Sequence, residues 1–125
     1  AEWEKGARGT DGRTFPWGKA EPNEKLCNFS RNVGQTTPVG QFSPEGDSPC
    51  GCADMAGNVW DWTADWFQPY PGNNKPDDAY GEKYRVVRGG SWDFDRLYLR
   101  CADRSGYAPV IGDDYVGFRC ASTAF

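Results

Sequence analysis

Two kinds of side chain in this sequence could do chemistry, and neither forms a complete centre by itself. The thiols are Cys27, Cys50, Cys52, Cys101 and Cys120, and thiolates suit zinc, Cu(I) or redox exchange. Cys50 and Cys52 stand in a CxC rather than the CxxC of zinc knuckles and redox motifs, and the sequence has no histidine to complete a mixed site. Five is an odd number, so at least one thiol is free or pairs outside the chain. The residues alone leave open buried thiols, disulfides and a thiolate metal site, with the first two favoured. The carboxylates lie on segments rich in turn formers: Asp54 and Asp61 flank GNVW, Asp93 and Asp95 bracket Phe94, and Asp113 adjoins Asp114. Paired Asp can serve as general acid and base, but on loops they are more often solvated or organise turns.

Little regular structure is available to position these groups. A chain of 125 residues is enough for one domain with one modest core. Sixteen Gly and nine Pro, scattered without a period, predict many turns and long ordered loops. Six Trp and 15% aromatic residues predict a core of a few large rings rather than aliphatic stripes. The net charge is −4 and the charged clusters, such as RGTDGR and YGEKYR, are short and mixed, so no nucleic-acid partner is expected. No run approaches the roughly 20 apolar residues of a membrane span, and AEWEKGARG lacks the n- and h-regions of a signal peptide. The compartment stays open, with a cell-surface or secreted setting favoured over a cytoplasmic one.

Residues 1–8 read as the end of a helix closed by Gly9, and an N-terminal segment or a second chain is expected to complete the fold. TDGRTFPWG reads as a turn and a short extended piece, and LCNF and TTPVGQF as brief strands. Trp60 and Trp62 alternate as in a half-buried strand. Residues 68–83 form a surface loop by composition. KYRVVRGGSW is the clearest strand, ending in a Gly pair, and LYLRCADR and VGFRCAST add two more. The elements describe an α+β domain.

The series AEWEKGARGTDGRTFPWG, PVGQF, DMAGNVWDWTADWF, RVVRGGSW, RCADR and VGFRCA resembles, in order and approximate spacing, the C-terminal part of the formylglycine-generating-enzyme (sulfatase-modifying factor) superfamily, across essentially residues 1–125. The resemblance implies a C-type-lectin-like fold in that superfamily's variant: loop-rich, with a small twisted antiparallel sheet. It also implies a structural calcium ion at GNVWDW. The positions matching its ligands are Asp54 by side chain, Gly57 and Val59 by carbonyl, and Asp61 by carboxylate; calcium takes several hard oxygens in flexible geometry. Asp61 stands where Glu is common, which shortens the reach. A second calcium site of some relatives would begin at Asn28 and Phe29, but its loop is shorter here and its acidic ligand has no counterpart, so it is not expected. Asn28 also heads an NFS sequon, of consequence only in a glycosylating secretory pathway.

The oxidases of the superfamily hold copper with two cysteines in the segment after GGSW. Here that segment is DFDRLYL, residues 93–99, without cysteine, and no copper is expected. Cys101 and Cys120 match positions that are disulfide-bonded in some relatives, yet the place for the partner of Cys101, near Ala7, is not a cysteine. The iron-dependent sulfoxide synthases of the same fold use histidines from another domain. Two readings follow. The first is a non-catalytic ligand-binding module of the type seen in variable proteins of diversity-generating retroelements, with its face at residues 92–115. The second is an oxidase or related protein-modifying enzyme whose catalytic parts lie outside this chain.

Retroelement diversification acts on adenines of Asn codons and never yields Lys, Glu, Gln, Met or Trp. Positions 93, 94, 95, 97, 98, 103, 105–108, 110, 111 and 113–115 carry only permitted types, although the excluded types make up 21 of the 125 residues. Trp92, Arg96, Arg100, Arg104, Pro109 and Gly117 to Arg119 form the frame between them. The expected ligand-binding residues are Trp92, Asp93, Phe94, Asp95, Leu97, Tyr98, Asp103, Ser105, Tyr107, Asp113, Asp114 and Tyr115. Tyr and Phe act as rigid contact rings in such faces, which favours a protein ligand over a carbohydrate. Arg88, Arg100, Arg104 and Arg119 are expected to pin loop carbonyls and carboxylates through their planar forks.

Overall fold

The computed structural model describes residues 1–123. The first element is the helix α1, Glu2–Arg8. Glu2 and Glu4 lie in its first turn and Lys5 and Arg8 in its last, the charge order that complements the helix dipole. Gly9 ends it with φ 65°, a left-handed conformation that suits glycine. The helix buries Ala7 against Met55 and Cys101, with Trp3 at the margin.

From residue 10 to residue 59 the chain forms turns and one isolated bridge, Phe15 to Gly18. The strands expected at LCNF and TTPVGQF are absent because side chains and tight turns, such as Leu26 N to Asn23 O and Gln41 N to Pro38 O, satisfy this backbone in place of neighbouring strands. Thr37 N donates to Asn58 Oδ1 at 2.9 Å and Asn58 Nδ2 returns a bond to Thr37 O at 3.1 Å. Asn32 does the same locally, accepting from Phe29 N and donating to Cys27 O. Such side-chain bonds compete with sheet ladders wherever Asn and Thr are frequent.

The sheet has four strands in the order β3-β2-β1-β4: β1 is Trp60–Trp66, β2 Arg85–Arg88, β3 Ser105–Tyr107 and β4 Val116–Gly117. β1 pairs antiparallel with β2, Asp61 opposite Arg88 and Trp62 opposite Val87, with an irregularity between Trp62 and Trp66. β2 pairs antiparallel with β3. β4 joins β1 in parallel, Trp60 opposite Val116, so the sheet is mixed rather than wholly antiparallel. LYLRCADR is not a strand. Asp95 caps a single 3-10 turn at Arg96–Leu99 by accepting from Leu97 N, and pairing with β2 resumes only at Ser105. No helix among the described residues is long and apolar enough to cross a membrane.

The interior differs from the expected cluster of large rings. Its two buried groups are Phe15, Cys27, Ala56 and Leu99, and Ala7, Met55 and Cys101. Of the six tryptophans only Trp60, 2% exposed, is fully buried. At one point the interior is backbone packed directly on backbone: a Cβ on Gly57 would lie 2.3 Å from Asn28 O, leaving no width there for a ring. All five cysteines are free thiols, with Cys27 and Cys101 buried and Cys50 and Cys120 exposed. Burial pushes the Cys27 thiol up to about 12 and that of Cys101 up to about 11.

Arginines hold the loops, as the frame predicts. Arg88 donates to the carbonyls of Cys101 and Asp103 and pairs with Glu4. Arg100 reaches Leu97 O, and Arg104 reaches Gln68 O while stacking on Phe67 and Tyr70.

Candidate ligand-binding face

The face begins where β2 runs out. Gly89 and Gly90 take φ 97° and 70°; a Cβ on Gly90 would meet Tyr98 O and Leu99 Cδ2 at 3.0 Å, so the chain lies tight against the 3-10 turn. Residues 92–94 are then threaded between two other segments by three backbone bonds. Trp92 N donates to Asn58 O at 2.9 Å, Arg31 N to Trp92 O at 2.7 Å and Ser30 N to Phe94 O at 2.8 Å.

On this support stands a continuous set of rings. Phe94 meets Tyr98, Trp60 and Tyr115 edge-on at centroid distances of 5.1, 5.5 and 5.5 Å. Tyr98 also meets Trp60 at 5.9 Å. Tyr115 continues to Tyr107 at 6.1 Å, and Tyr107 to Trp62 at 5.6 Å. Edge-to-face contacts at these spacings are the favoured aromatic geometry. Trp60 is the buried floor, while Phe94, Tyr107, Tyr115 and Trp62 are half-buried and Tyr98 is exposed.

The other expected residues divide by what they touch. Asp93 pairs with Arg31, which holds its carboxyl below the usual range. Asp95 is spent on the 3-10 cap. Leu97, 54% exposed, lines a shallow depression with Phe29, Ser30 and Arg96. Asp103 turns inward to Arg100; its Oδ2 is buried without a partner and desolvation raises its pKa. Ser105 is in the sheet opposite Val87. The Asp113 carboxylate accepts a hydrogen bond from the Tyr107 hydroxyl, and the Tyr107 and Tyr115 hydroxyls are 3.0 Å apart. Trp92 donates its indole N–H to Asp114 O at 3.2 Å.

The structure thus brings Phe94, Tyr98, Tyr107 and Tyr115 into one row and leaves Asp103 and Ser105 to structural roles. It adds Trp62 and the floor Trp60, which composition assigns to the core. Their alternation along β1 is the signal that both point to one side. Nothing in the sequence indicates Arg31 as the partner of Asp93.

At the positions matched to calcium ligands, Asp61 is buried, and its Oδ2 accepts from Trp3 Nε1 and Arg119 Nε, both at 2.8 Å. Arg119 Nη2 also donates to the carbonyls of Ala53 and Asp54. Asp54, at φ 53°, accepts Gly40 N at 2.8 Å. Desolvation raises the Asp61 pKa against the pull of Arg119, and Asp54 raises it further, so the two carboxylates feel each other. Among the described residues the carbonyls of Gly57 and Val59 accept no hydrogen bond. Two carboxylates and two unpartnered carbonyls suit a hard cation, with Arg119 competing for one oxygen of Asp61. Asn28, 1% exposed, is buried, which closes its sequon to glycosylation in the folded chain.

Residues 1–124 match the sulfatase-modifying factor enzyme 1-like domain. The chain is 35% identical to the hercynine oxygenase of Mycobacterium tuberculosis over 96% of its own length and 30% of that protein's. It is also 35% identical to the formylglycine-generating enzyme of Mus musculus over 98% of its own length and 37% of that protein's. It spans, then, about a third of these curated relatives. Treponema denticola variable protein 1 superposes with a TM-score of 0.69 at 28% identity, over 94% of this chain and 43% of that one. With the loop-rich mixed sheet, the GNVWDW turn and the Gly pair after β2 in place, the chain belongs to the family of sulfatase-modifying factor enzyme 1-like domains.

Proposed function

We propose that this chain is a non-catalytic ligand-binding module that presents residues 92–115 to a protein ligand, in the manner of a diversified variable protein. The observation that carries the reading is the division of labour at residues 92–94. Backbone bonds with Asn58, Arg31 and Ser30 hold the loop whatever side chains stand at positions 93 and 94, so those positions can differ while the three bonds persist. The likeness to a variable protein supports the same reading. The Asp54, Gly57, Val59 and Asp61 oxygens are assigned to a structural calcium ion that ties this support together. The test is genomic: a near-copy of the codons for residues 92–119, differing only at adenines and lying beside a reverse transcriptase gene, is expected.

A second reading, a protein-modifying oxidase completed by another segment or chain, is favoured by the 35% identity to the formylglycine-generating enzyme of Mus musculus. A sulfatase or peptide-modification gene beside this one, with no template copy, supports that reading and overturns the first.

A further inference from the structure

The face is electrically lopsided. On its 93–104 side the acidic groups are already neutralised or engaged: Asp93 with Arg31, Asp103 with Arg100, neighbouring Glu21 with Arg96, and Asp95 in its cap. Residues 105–118 contain two carboxylates and no basic residue. Asp113 accepts one hydrogen bond, from Tyr107, and the Asp114 carboxylate makes no hydrogen bond or ion pair among the described residues.

Asp113 stands beside half-buried rings through its hydrogen bond with Tyr107, whose hydroxyl is 3.0 Å from that of Tyr115 and whose ring is edge-on to Trp62. Asp114 is tied to the same face by its carbonyl, which accepts from Trp92 Nε1. The hydrogen bond to Asp113 pushes the Tyr107 phenol up, so it stays neutral. Ring faces and carboxylates together suit a guanidinium or ammonium group, which gains from both. The chain uses the ring half of this pairing internally: Arg85 stacks 3.6 Å over Trp66 and Arg104 stacks 3.8 Å over Tyr70, each with a backbone carbonyl in place of a carboxylate. Val110, 92% exposed, and Ile111 belong to the same stretch and offer apolar contact that a free cation would not use.

We propose that Tyr107, Tyr115, Asp113 and Asp114 form the subsite for an Arg or Lys side chain of the protein ligand, with Val110 and Ile111 contacting the residues around it. The proposal rests on the binding reading above and names the partner's chemistry: a basic segment with apolar neighbours.

The experiment pans a library of random short peptides against the whole chain at about 0.15 M salt, where exposed charges more than about 8 Å apart are screened. The expected result is enrichment of Arg- and Lys-bearing peptides whose affinity falls at least about tenfold in Asp113→Asn/Asp114→Asn. The same peptides keep their affinity in Asp78→Asn/Glu82→Gln, an equal charge change on the 68–83 loop. Equal loss in both variants marks unspecific attraction and overturns the subsite. Enriched peptides that are neutral or acidic, yet are lost in Tyr115→Ala, overturn the basic partner while leaving the face as a binding surface. Peptides indifferent to every substitution in residues 92–115 overturn both.

Discussion

Residues 54–60 with 85–91 and residues 105–115 share one sheet but are held in opposite ways. The first set is almost wholly buried. Its conformation comes from backbone contacts that exclude side chains, such as Gly57 N to Gly89 O at 2.8 Å and the close approach of Gly57 to Asn28 O. The second is half-buried to exposed, and beyond β3 Asp113 and Tyr115 rest on Tyr107 and Phe94 while Val110 stands in solvent. Where backbone packs on backbone a substitution moves the chain; where side chains rest on a supported loop it changes only the surface. A scaffold that presents a changeable face needs both kinds of region.

The largest effect expected is at the first kind. Gly57→Ala combines φ 78° with a Cβ 2.3 Å from Asn28 O, and should cost about 4 kcal/mol or more in denaturant unfolding. Unfolding within 1 kcal/mol of the parent would break the comparison. Calcium comes next. At about 100-fold excess over its dissociation constant it should stabilise by about 2.7 kcal/mol, and the increment should vanish in Asp61→Asn; identical thermal melts with calcium and with chelator would remove the assigned ion.

The buried thiols give a smaller, pH-dependent effect. Cys27 and Cys101 have folded pKa values of about 12 and about 11 against an ordinary value of 9.0. The folded state therefore keeps protons that the unfolded chain releases. Their stability contribution is complete below pH 9 and falls as pH rises from there towards the folded values, by up to about 1.4 kcal/mol per unit for each thiol. Cys27→Ala should flatten that slope in unfolding measured from pH 8 to 11. The smallest effect is on the face, where Leu97→Ser, Val110→Ser and Ile111→Ser should each stay within about 0.5 kcal/mol.

What could be read from the sequence was local in origin. α1 and its closing Gly9, the strands around Trp60 and Val86, the Gly pair and the four pinning arginines all carry their signal within a few residues. The features that escaped depend on distant partners. Residues 26–29 and 36–42 read as strands, the latter because Thr and Val favour them, but Asn32 and Asn58 take up part of that backbone. The parallel placement of β4 beside Trp60 depends on a chain path of more than fifty residues that no local pattern encodes. The tryptophans read as core, whereas only Trp60 is fully buried. Of the expected face, the row Phe94, Tyr98, Tyr107 and Tyr115 is assembled as rings, while the Asp103 carboxylate is taken up by Arg100 and its carbonyl by Arg88.

The most direct test is a pair of libraries probed by protease resistance, one randomising Leu97, Tyr98, Val110, Ile111, Asp113 and Asp114, the other Gly57, Arg88, Gly89, Gly90, Ser91 and Leu99. A frame that is separable from its face predicts that most members of the first library resist cleavage as the parent does and that few of the second do. Comparable resistance in the two libraries, or a first library as fragile as the second, would contradict it.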